Sequence, residues 1–243
     1  MWRNKRFRLA ALIAVALLIG AGVLIYADWF GFDEPAARAA SAPTLAAEVQ
    51  QRVYRIDPAR SIVRYTVEEF FVGQGGSTAV GTTNAIAGDI VIDPTDYASS
   101  QVGTIVIGIE QFTSDSGLRD RRIRREYLES SAYPEAVFVP HDLTDFPAVI
   151  TEGEEAAFSM TGDLTVKATT APVTWDVAAT LSGEMLTGTA TTTLLMSDYG
   201  VGPIDIAGLL ETSDEVLLEF EFVAPLVSSE AAATATAETT ATP

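Results

Sequence analysis

Five arginines, Arg119, Arg121, Arg122, Arg124 and Arg125, fall within seven consecutive positions of a chain that has 15 basic residues against 33 acidic ones. A guanidinium is a planar fork of donors. Such a run can receive a pyrophosphate or carbonyl head group, or it can pair with acids on its own and neighbouring elements. Asp120 and Glu126 already lie within it, which favours pairing, with Arg119 and Asp120 the leading structural pair. Glu68-Glu69 and Glu154-Glu155 have the residue types of acid/base catalysis. Adjacent residues on a strand point to opposite faces, so neither pair shares one site, and both are read as solvated charge. His141 is the only histidine. A triad or an imidazole metal site needs partners in geometry, and no G-x-S-x-G motif is present, so His141 is read as a surface or loop residue. The absence of cysteine excludes disulfides, thiolate nucleophiles, zinc–thiolate sites and a lipidated N-terminal cysteine. No catalytic residue and no metal site is assigned.

The charge is unevenly spread. Arg3, Lys5, Arg6 and Arg8 precede every acid, leaving 11 basic and 33 acidic residues from Asp28 onward, a net charge of −22. Such a surface repels phosphate backbones, and nucleic acid is excluded as a partner. Leu9 to Ala27 is 19 residues without a charge. As a helix it spans roughly 28 Å, close to the ~30 Å bilayer core. The basic residues before it and the acids after it orient it N-in, C-out. Residues 1–27 are therefore expected to be a transmembrane signal anchor, with a cleaved signal peptide and secretion as the alternative. The rest of the chain is then outside the cytoplasm. Residues 28–51 read as an Ala-rich tether, and the Ala/Thr-rich stretch 227–243 as a disordered tail.

Residues 52–226 carry a period of two. Val63, Tyr65 and Val67 share a face, as do Ile105, Ile107 and Ile109. So do Phe158, Met160, Gly162, Leu164 and Val166; Val173, Trp175 and Val177; and Val216, Leu218, Phe220 and Phe222. Turn signals separate the runs, at Asp57-Pro58, Asp93-Pro94, Glu152-Gly153 and Ser182-Gly183. This rhythm is that of an antiparallel barrel or sandwich, and closure into a barrel removes exposed edges. One helix is expected, over Gly117 to Ser130. The apolar stripes can line a ligand tunnel or fill a dry core, and alternation alone allows both.

The order of motifs resembles that of the YceI-like family, lipocalin-like polyisoprenoid-binding proteins. It runs through YRIDPARSIVRYTV (54–67), IAGDIVID (86–93), the segment VGTIVIGIEQFTSDSGLRDRRIRREYLESSAYPEAVFVP (102–140), MTGDLTVKATTAPVTWDV (160–177), MSDYGVG (196–202) and the closing DEVLLEFEFVA. The resemblance implies an all-β, eight-stranded antiparallel lipocalin-like barrel with one short helix, preceded here by the transmembrane helix. It implies an apolar cavity holding an isoprenoid or quinone-type lipid, with no other cofactor. Tyr65, Ile107, Phe158, Trp175 and Phe220 are then wall residues, and Arg119 and Arg122 candidates for a polar head group. A bulky residue at Gly162 would fill the cavity. Asp198-Tyr199-Gly200 matches a strand-end motif of the family and is read as a bend. Departures are Arg60-Ser61 and Glu68-Glu69, where the family often has histidines, and a polar insert over Gly73 to Asn84. The implied partners are an apolar lipid and the membrane, with a homodimer left open. A surface interaction module with a filled barrel is the alternative function.

Overall fold

The computed structural model describes residues 38–47, 51–73, 75–206 and 208–227. The expected anchor, most of the tether and the tail from 228 onward lie outside the described residues. Among the described residues, no helix is long and apolar enough to cross a membrane.

The described chain is all-β, with one short helix. Its strands are β1 (Arg52–Arg55), β2 (Ile62–Phe71), β3 (Gly75–Thr83), β4 (Ile86–Ala87), β5 (Asp89–Ile92), β6 (Gln101–Val102), β7 (Ile105–Gly108) and β8 (Thr113–Ser114), followed after the helix by β9 (Glu135–Thr144), β10 (Glu155–Val166), β11 (Thr169–Ser182), β12 (Met185–Leu195), β13 (Asp205–Ile206) and β14 (Leu210–Pro225). Fourteen strands are thus present among the described residues, where eight were expected. The reason is local. The run from Ile86 to Asp93 reads as one strand, but it breaks at Gly88, whose carbonyl accepts from Ile56 N–H at 3.0 Å. Its two halves serve different sheets, β4 pairing with β7 and β5 with β1 and β6. Within the polar insert, Gly75–Thr83 forms a strand that pairs with β2 along its whole length.

The larger sheet runs β4-β7-β9-β10-β11-β12-β14-β2-β3-β8, with β13 on β14, and all its pairings are antiparallel. In a flat sheet with strands about 4.8 Å apart, β3 and β4 would lie nearly 40 Å from each other. Only Asn84 and Ala85 join them, which span about 11 Å at most. The sheet must curl, and it curls around one apolar interior. The stripes read from the sequence face inward: Val63, Ile105, Ile107, Leu164, Val173, Trp175, Val177 and Phe222 are all buried in one cluster.

Helix α1 (Gly117–Arg122) opens with Ser116, whose Oγ accepts from Arg119 N–H at 3.4 Å. A π-helical turn, Ile123–Tyr127, continues it. The α-helical part is shorter than the 117–130 span expected, because the i→i−4 ladder widens at Ile123.

Candidate ligand cavity

The interior holds two apolar chambers. One, about 80 Å3, is walled by Ile105, Phe138, Phe158, Met160, Val177, Phe220 and Phe222 among others, and reaches the β9–β10 loop at Phe146 and Ile150. The other, about 160 Å3, lies at the helix end, walled by Val63, Tyr65, Phe112, Ile123, Leu164, Met196, Tyr199, Val216 and Leu218 among others. Ile107 and Trp175 line both and so form the partition between them. A water needs only about 10–15 Å3 of such space, and packed cores leave few voids larger than that.

Aromatic rings shape the walls. Tyr65 and Phe112 meet at a tilt of 56° with centroids 5.3 Å apart, and Phe138 meets Trp175 edge-on at 6.0 Å. Glycines make room for two of these rings. A Cβ on Gly81 would lie 2.3 Å from the Tyr65 ring, its cross-strand partner. A Cβ on Gly162 would lie 2.3 Å from the Val139 carbonyl oxygen and 2.7 Å from Phe138. Gly162 therefore faces the neighbouring strand at a register shift, not open space. A bulky residue there would break β9–β10 pairing before it filled the cavity.

The polar groups of the helix-end wall are mostly engaged. Asp120 is buried and accepts from Ser114 N–H at 3.0 Å and from Ser114 Oγ. Arg124 donates to the Phe112 carbonyl at 2.8 Å. Two groups are not engaged. Trp175 Nε1 and Tyr199 Oη are buried without a hydrogen-bond partner. A buried polar group left so costs about 1–3 kcal/mol. Burial and the nearby Asp198 charge push the Tyr199 phenol up to about 12. Burial, then the charge of Asp120, does the same for Tyr65, with Arg119 partly opposing and Glu69 and Asp115 adding to the rise, to about 12.

A surface groove of about 350 Å3 adjoins this chamber through shared wall residues Val67, Ile123 and Ile204. Arg119 and Arg122 line the groove. Arg119 is committed to protein groups: its guanidinium donates to Glu69 at 3.1 Å, to Ser114 Oγ and to Asp115. Arg122 pairs with Glu126 at 2.9 Å. Arg119 and Asp120 are both structural, but through Glu69 and Ser114, not through each other. Glu69, read as solvated, is buried beneath Arg119, while its neighbour Glu68 is exposed. His141 is a surface residue, exposed on β9, with Nε2 2.9 Å from Asp163. Arg60 pairs with Asp57 at 2.7 Å, and Ser61 Oγ accepts from Val223 N–H at 3.0 Å, clamping β2 to β14.

Tyr65, Ile107, Phe158, Trp175 and Phe220 thus sit on chamber walls, and Arg119 and Arg122 on the adjoining groove. Tyr199 was missed. It sits in the 3-10 turn Met196–Tyr199, closed by Gly200 at φ 63°, so the bend is real. Nothing in the motif itself says that the ring turns inward.

A curled antiparallel sheet around an apolar interior defines the class of barrel-like all-β proteins. Within it, this chain belongs to the YceI-like family, whose domain matches residues 54–224. BcnA of Burkholderia cenocepacia superposes with a TM-score of 0.55 at 22% identity, over 69% of this chain and 98% of its own. A polyisoprenoid-binding domain from Saccharophagus degradans, implicated in plant cell wall breakdown, gives 0.55 at 14% identity over 72% and 98%. The Campylobacter jejuni YceI protein gives 0.50 at 16% identity over 61% and 85%. At these identities the likeness shows the fold alone. No curated protein matches the chain in sequence.

Proposed function

We propose that the protein binds an isoprenoid or other long-chain apolar lipid inside the curled sheet and holds or carries it without covalent chemistry. The observation that carries this is the pair of apolar chambers, about 80 and 160 Å3, in a core that would otherwise close. The family supports it, and so does the Saccharophagus degradans neighbour, a polyisoprenoid-binding domain. Apolar burial would drive binding, at roughly 25 cal/mol per Å2 before ordering costs. If β3–β5 and β6–β8 are each taken as one interrupted stave and the short β1 and β13 are set aside, eight staves remain, the number of a lipocalin-like barrel. In this reading the groove beside Arg119 and Arg122 is the entrance, and the partition at Ile107 and Trp175 shifts to admit a long chain.

We further propose that the segment Leu9 to Ala27 tethers the protein to the membrane with the barrel outside the cytoplasm. Protease protection on intact cells and spheroplasts tests this, and a barrel digested only after lysis of the inner membrane would refute it.

The binding reading is tested by mass spectrometry of lipid extracted from the full chain after purification from its native membrane, beside an Ala136→Phe variant. Ala136 is buried and lines the helix-end chamber. A near-stoichiometric apolar lipid in the natural chain, and at least a tenfold loss in a folded Ala136→Phe variant, is the expected result. A lipid-free protein that also takes up no added isoprenoid would overturn it.

A further inference from the structure

Among the described residues, Trp175 Nε1 and Tyr199 Oη are the buried side-chain polar atoms that have no hydrogen-bond partner. They come from different elements, β11 and the turn after β12, yet both line the helix-end chamber. Both residues are almost fully enclosed, Trp175 at 4% and Tyr199 at 3% exposure. Besides these two and the Tyr65 hydroxyl, the polar groups of that wall are Asp120 and Arg124, which are already bonded to Ser114 and to the Phe112 carbonyl. Native cores pair their buried polar groups, and an orphan calls for an explanation. Here two orphans share one cavity.

We propose that the helix-end chamber receives a neutral oxygen acceptor borne on an apolar skeleton, a carbonyl above all, and that Trp175 Nε1–H and Tyr199 Oη–H donate to it. The inference rests on the reading of the chambers as an apolar-ligand site and deepens it. An indole N–H is a donor only, and a phenol donates readily. Tyr199 keeps its proton throughout the neutral range, since its pKa stands near 12. The two donors are therefore fixed as uncharged. Of the two charged groups on that wall, Asp120 opposes an anionic head group, and Arg124 is turned to the Phe112 carbonyl. A ketone, quinone or ester can bring its oxygen in.

The test uses a matched pair of probes with the same branched skeleton, 6,10,14-trimethylpentadecan-2-one and the hydrocarbon 2,6,10,14-tetramethylpentadecane. Dissociation constants are measured on the full chain by displacement of a fluorescent apolar dye. In the natural chain the ketone is expected to bind about five- to tenfold more tightly than the hydrocarbon. In Tyr199→Phe, and more fully in Trp175→Phe/Tyr199→Phe, that preference falls toward one while hydrocarbon affinity holds. A second readout does not depend on the double variant folding. The Trp175 indole N–H resonance, assigned by its loss in Trp175→Phe, should move downfield with the ketone and not with the hydrocarbon. Equal affinity of the two probes in the natural chain, or an unchanged preference in the variants, overturns the inference and leaves the apolar-ligand reading standing. Failure of both probes to bind overturns both.

Discussion

Glu69 is a carboxylate with 4% of its side chain exposed, and it is tolerated there because Arg119, itself 18% exposed, reaches across from α1 to cover it. The pair ties the helix to β2, and Ser114 with Asp120 ties it to β8. Removing one partner of a buried pair strands the other charge, whereas removing both does not. Arg119→Met should therefore destabilise the fold by about 3 kcal/mol, and Glu69→Gln/Arg119→Met should recover most of that, read from urea unfolding of the four-member cycle. Purely additive losses would mean that the pair is solvated in solution. The arginine run was legible as a cluster, and pairing was the favoured reading of it. Its partner was not legible, because Glu69 lies 50 residues away in sequence and alternation alone cannot say which acid of Glu68-Glu69 turns inward.

At the scale of the strands, close packing between neighbours is set by glycines that an aromatic ring covers. Gly81 lies under Tyr65 and Gly188 under Phe222, but the two sites are not alike. A Cβ on Gly81 meets a ring that can swing away, 2.3 Å from its edge. A Cβ on Gly188 meets the Ala178 carbonyl oxygen at 2.4 Å as well as the Phe222 ring, and the backbone cannot move without opening β11–β12. Overpacking costs about 1–3 kcal/mol, with rigid neighbours at the upper end. Gly188→Ala should thus cost about 3 kcal/mol and Gly81→Ala about 1 kcal/mol in thermal or urea unfolding. Reversed order would mean that the Tyr65 ring is pinned. The inward stripes were readable because a period of two survives in sequence wherever one face is buried. Strand ends were less readable. The break at Gly88 follows from a hydrogen bond to Ile56, thirty-two positions back, which leaves no local mark. Tyr199 escaped for a related reason: a turn residue has no alternating neighbours to betray its direction.

For the molecule as a whole, the surface carries the charge and the interior carries the space, and the two meet in the tyrosines of the helix-end chamber. Tyr65 and Tyr199 are both pushed to about 12, chiefly by burial, from an ordinary value of 10.0. Between those values the native state keeps protons that the unfolded chain has released. The linkage slope then has one sign: stability falls as pH rises across that interval. Below about pH 10 both states are protonated and the contribution is fully present. Equilibrium urea unfolding should accordingly show a loss of stability between pH 10 and about 12 beyond that of the other groups. Tyr65→Phe/Tyr199→Phe should flatten it, because phenylalanine has no proton to lose. The same double variant should retain its stability near neutral pH to within about 1 kcal/mol, since Tyr199 gives up a hydroxyl that has no partner. An unchanged slope in the double variant would show that water already reaches both hydroxyls, and a chamber that wet would not hold an apolar chain.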